Sequence, residues 1–96
     1  MQTISLKTSS PKKALPLIID AIEREKRILM DSIAITQKNI NSLARKLHVN
    51  ISHLEKGKVI HTEENEEELI ELEGELSILK SLNEEMKSLE DVKLCP

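Results

Sequence analysis

Apolar residues recur along most of this chain at helical spacing. Leu15, Ile22, Leu29, Thr36 and Leu43 fall seven residues apart, and Ile19, Lys26, Ile33, Ile40 and Leu47 interleave with them. Only Lys26 and Thr36 break the apolar seam, so the pattern is heptad-like for over four repeats. It predicts one long helix over residues 11–48. Ser10 before Pro11 is a good helix start, because a cap residue followed by proline uses a position whose N–H has no helical partner. Pro16 removes one hydrogen bond further in, so the helix either bends there or begins near Leu15. At 1.5 Å per residue the seam spans roughly 50 Å.

The seam weakens at His48-Val49-Asn50. Asn50 is placed to cap a short helix over residues 50–57 that Gly57 ends, and a continuous first helix to Lys56 is the alternative. Thr62 is the expected N-cap of a last helix over residues 62–93. Five glutamates, Glu63, Glu64, Glu66, Glu67 and Glu68, suit the positive end of that helix. Leu69, Leu72, Leu76, Leu79, Leu82, Met86 and Leu89 then form one apolar face, which Ile70 and Ile78 widen. Gly74 inside this helix costs about 1 kcal/mol against alanine. It marks either a close approach by a partner or a tolerated surface glycine. Ahead of the helices, residues 2–7 alternate apolar Ile4 and Leu6 with polar neighbours, and this arm of residues 1–10 reads as a short strand or as a tail.

Composition narrows the fold. The chain has 96 residues and no Phe, Tyr or Trp. A chain this short without aromatics has little from which to build a deep core, and layered Leu and Ile packing is the natural solution. The expectation is a single all-α domain: an antiparallel helical hairpin or coiled coil with a short middle helix. Residues 1–58 carry 11 Lys and Arg against 5 Asp and Glu, residues 59–96 carry 3 against 12, and the halves therefore stand at +6 and −9. Opposite halves favour lying side by side, although individual surface pairs contribute little.

The lone cysteine, Cys95, excludes an internal disulfide and fits a reducing, cytoplasmic setting. No apolar run approaches the ~18 residues of a membrane span, and the first residues lack a signal peptide's apolar core. Chemistry is sparse. His48 and His53 are five apart and share no clean helical face, and His61 stands alone. The glutamate run has a simpler reading as a helix start. With only Gly57 and Gly74 there is no phosphate loop, and no serine lies in a nucleophile motif. No catalytic, metal or cofactor-binding residue is assigned, and an enzyme is the least favoured class.

Two stripes too narrow to cover each other completely predict a homodimer or higher oligomer. Its expected interface holds Ile33, Ile40, Leu69, Leu72, Gly74, Leu76 and Leu79. The alternative is a dimeric, ribbon-helix-helix-like DNA-binding regulator touching phosphates through Lys7, Lys12 and Lys13. The absence of stacking aromatics argues against single strands. A purely structural coiled-coil oligomer is the third reading.

Taken in order, Pro11-Lys12-Lys13-Ala14-Leu15, Ile22-Glu23-Arg24-Glu25, Leu54-Glu55-Lys56-Gly57 and Leu69-Ile70-Glu71-Leu72-Glu73-Gly74-Glu75-Leu76 resemble a family. It comprises small helical archaeal and bacterial proteins, many encoded beside a small toxin-like protein of the TumE type. Leu72 stands where that family usually has an aromatic, and His48-Val49-Asn50 replaces a Tyr-Gly-like break. The resemblance implies an antitoxin-like role, in which a helical protein wraps and blocks a small co-encoded partner. It supplies no catalytic residues.

Overall fold

A computed structural model describes residues 2–94 of the chain. Three helices follow one another: α1 (Pro11–Leu47), α2 (Ile51–Glu55) and α3 (Glu66–Glu90). No strand forms among the described residues, so residues 2–7, read above as a strand or an arm, are an exposed arm. Cys95 lies outside the described residues.

α1 starts at Pro11 and runs through Pro16. The Ser10 carbonyl accepts from the Lys13 and Ala14 N–H groups at 3.1 and 2.9 Å. The Ser10 hydroxyl makes no cap; instead the Ser10 N–H donates to Thr8 Oγ1 at 3.1 Å. The hydrogen bond that Pro16 removes would have gone to Lys12, and both residues are exposed. Water can therefore satisfy the freed carbonyl, which is why proline is tolerated here.

His48 ends α1. Its φ of 53° places it in the left-handed region. The His48 N–H donates to the Arg45 carbonyl (3.3 Å) and the Val49 N–H to the Ala44 carbonyl (3.0 Å). This pair of bonds is a Schellman cap, and half-buried Val49 turns back onto the core behind it. The first helix therefore does not continue to Lys56. Asn50 caps α2 by accepting the His53 N–H on Oδ1 at 3.3 Å. Gly57, at φ 70°, closes α2 with a second Schellman pair, Gly57 N–H to Leu54 and Lys58 N–H to His53.

α3 begins later than the sequence suggests. Thr62 N–H donates to Asn65 Oδ1 at 2.7 Å, while the Thr62 carbonyl accepts from Asn65 and Glu66. Residues 62–65 form a turn, Asn65 takes the cap position, and Glu63 and Glu64 lie outside the helix. Glu66, Glu67 and Glu68 still occupy its first turn, where the dipole favours them.

α1 and α3 lie antiparallel. At the closed end, Lys46 Nζ sits 3.5 Å from Glu68 Oε1. At the open end, Ile19, Ile22 and Lys26 share a small cavity with Val92 and Leu94. α1 is 37 residues and α3 is 25, so the first turns of α1 project beyond its partner. The molecule measures 61 × 24 × 16 Å. The tightest core is at the closed end, where Ile40, Leu54, Leu69 and Leu72 are buried and Leu43, Ala44, Leu47, Val49, Ile51 and Val59 pack on them. α2 is the lid of that end, contributing Leu54.

Candidate interaction surface

The residues expected to meet a second subunit lie mostly in the hairpin's own seam. Ile40, Leu69 and Leu72 are fully buried by their own chain, and Leu76 and Leu79 pack half-buried against them. Ile33 is half-buried along the same seam. A second copy could reach the first three only if the hairpin opened. Gly74 is exposed, and a Cβ built there meets nothing within 4 Å. The chain makes no close approach at this glycine.

What stays outside is a different set. Leu17, Ile28 and Ile35 of α1 are 68%, 51% and 62% exposed. With exposed Ala21 they recur at spacings of 4, 7 and 7 residues. At 100° per residue they share one side of α1, turned roughly 120° from the seam that meets α3. Lys13, Asp20, Arg24 and Asp31 run beside them as one charged stripe, all exposed. Among the described residues none of these four has an ion-pair partner within the chain. On α3, Ile70 and Ile78 face outward on either side of Gly74, and Ile60 stands exposed in the connector.

The stronger seam dominates the periodicity of α1 and masks this second stripe. The signal was present: an apolar repeat at 17, 21, 28 and 35, out of phase with Leu15, Ile22 and Leu29.

The basic cluster is spread over two elements. Lys7 lies in the arm, and Lys12 and Lys13 lie in the first turn of α1, all three exposed. That turn holds no acidic residue. Its two lysines face the positive end of the helix dipole, an arrangement that an incoming anion would relieve. No strand forms among the described residues of the single chain, and the ribbon-helix-helix reading pairs strands from two subunits.

The histidines do not converge. His48 is in the α1 cap, His53 is in α2, and His61 places Nε2 3.3 Å from Glu73 Oε1. Among the described residues, no three His, Cys, Asp or Glu side chains gather in a metal-holding arrangement. An open surface groove of about 750 Å³ lies between α2 and α3, bounded by Glu55, Leu76, Leu79, Lys80 and Lys87. None of the described helices is long and apolar enough to cross a membrane. Fold and surface together define an all-α helical hairpin with apolar residues on its outside. The chain matches no family model, no curated protein and no solved structure.

Proposed function

We propose that this protein is a non-enzymatic interaction module that works by docking its helices on another polypeptide. The observation carrying this reading is the apolar material outside the seam. Leu17, Ile28 and Ile35 on α1, and Ile70 and Ile78 on α3, are each at least half exposed on a chain with a small core. Single exposed apolar residues are ordinary, but a repeat along one side of a helix is the pattern of helix-in-groove or helix–helix recognition.

The specific form we favour is antitoxin-like: the hairpin wraps a small protein encoded beside it and blocks that protein. The support is the family resemblance of the helical segments, together with an elongated scaffold that offers a long contact line. Co-expression with the product of the neighbouring gene tests it. The expected result is a stoichiometric complex by size-exclusion chromatography with light scattering, lost when Ile70 and Ile78 are both changed to aspartate. Two proteins eluting separately would overturn it.

Lys7, Lys12 and Lys13 favour a second reading, contact with DNA phosphates by a dimer. Its signature is a gel shift that weakens steeply with added salt. No shift at low salt would end that reading.

A further inference from the structure

The charged stripe of α1 has an internal order that its apolar neighbours share. Over residues 13–31 it runs Lys13, Asp20, Arg24, Asp31, or plus, minus, plus, minus, and Lys38 continues it beyond that span. Read backwards it runs minus, plus, minus, plus. The spacings are 7, 4 and 7, identical in both directions. An antiparallel copy centred on Ile22 therefore sets Lys13 against Asp31 of the copy and Asp20 against Arg24 of the copy. Each pairing occurs twice. The same register brings Leu17 within one residue of Ile28 of the copy and places the small Ala21 one residue from the axis.

We propose that this protein forms a two-fold dimer through the outer face of α1, its occupant being a second copy of the same chain. The inference deepens the interaction-module reading and rests on it. A face that meets itself about a two-fold axis must be complementary to its own reverse, and isologous interfaces have this property by construction. In an antiparallel helix pair the charges flanking the apolar line meet the same flank of the partner. A stripe with reversed sign symmetry is then attractive, whereas one of uniform sign would repel.

Three features of the fold leave the face open to a copy. α3 packs roughly 120° away around α1 and is shorter, so it does not obstruct that side. All four charges, with Leu17, Ala21 and Ile28, are exposed, and among the described residues none of the charges is engaged in an ion pair within the chain. The first turn of α1 lacks an acid, and Asp31 of the copy would supply one beside Lys13. The overlap runs over residues 13–31, roughly 27 Å of helix. The association is therefore expected to be moderate and to weaken with salt.

Sedimentation equilibrium of the full chain, from micromolar to sub-millimolar concentration, tests the proposal. The expected state is a monomer–dimer equilibrium. Leu17→Asp should abolish it while circular dichroism keeps the helical signal. Lys13→Asp and Asp31→Lys should each weaken the dimer about tenfold or more by setting like charges opposite each other. The double variant Lys13→Asp/Asp31→Lys should return to near the wild-type constant, which a merely structural defect would not do. A monomer throughout the range, a dimer indifferent to Leu17→Asp, or a double variant as weak as the singles would each overturn the proposal. A monomer that still binds the neighbouring gene's product would remove this inference alone. A dimer that binds no such product would leave it standing without the antitoxin-like reading.

Discussion

Two residues end helices in the same backbone conformation, and only one is suited to it. Gly57 at φ 70° and His48 at φ 53° both close Schellman caps. A side chain in the left-handed region costs roughly 1–2 kcal/mol, and glycine avoids that. Replacing His48 by glycine should therefore stabilise the fold, with part of the gain lost to the freer unfolded chain. The net expectation is a gain of up to about 1 kcal/mol, and Gly57→Ala should lose about 1 kcal/mol. Urea midpoints of the two variants should move in opposite directions from wild type. The sequence discloses Gly57 because glycine advertises the conformation. It discloses the break at His48-Val49-Asn50 but not its geometry, since histidine adopts the left-handed conformation more often than most side chains yet marks it far less strongly than glycine. Thr36 is the other residue at odds with its place. It sits at a seam position, 7% exposed, with no side-chain hydrogen bond among the described residues. Among the described residues no side-chain polar atom is both fully buried and without a partner, so the Thr36 hydroxyl keeps contact with water. Thr36→Val keeps the shape and relieves no orphaned hydroxyl, so chemical denaturation should find a stability change of less than about 1 kcal/mol.

At the scale of elements, the α3 stripe was fully legible. All seven of Leu69, Leu72, Leu76, Leu79, Leu82, Met86 and Leu89 are buried or half-buried. The α1 seam was legible from Ile22 to Leu47 and slipped at its start, where Ile18 turns inward and Ile19 is 41% exposed. A strict seven-residue repeat drifts away from a nearly straight helix, and the drift accumulates toward the end farthest from the core. The inward positions follow an eleven-residue spacing instead, as in Ile18, Leu29 and Ile40, or Ile22, Ile33 and Ala44. Lys26 keeps its place in this seam by lining one small cavity with Ile22 and Val92 while its amine reaches Glu23 at 3.5 Å. The start of α3 was misplaced because Thr62 and Asn65 both have capping side chains, and nothing local decides between them. Tertiary burial then divides the stripe energetically. Leu72→Ala empties a fully buried site and should cost about 2–5 kcal/mol. Leu89→Ala, near the open end and half-buried, should cost about 1 kcal/mol. Thermal or urea unfolding of the two variants under one set of conditions measures the ratio, and equal losses would show that the core is not concentrated at the bend.

For the whole molecule, that concentration sets where the chain opens first. Ile40, Leu54, Leu69 and Leu72 close one end of a rod 61 Å long, and the far end holds only half-buried contacts and a projecting length of α1. Local opening follows the density of buried contacts, so protection should fall along α1 from its C-terminal to its N-terminal turns. Native-state hydrogen exchange should find the slowest amides around Ile40, Leu43 and Leu72, exchanging near the global unfolding free energy. Amides from Ala14 to Ala21 should be among the fastest helical ones in dilute solution. The fraying segment is also half of the face on which a second copy is placed. Binding that occurs only to the ordered helix must stabilise it by mass action, so protection of residues 14–28 should rise with protein concentration while that of Leu72 stays at its ceiling. Leu17→Asp should erase the concentration dependence without altering the slow core. A gradient that is flat along α1, or one indifferent to concentration in a chain that dimerises, would separate the two ends of the rod differently from the way its packing does.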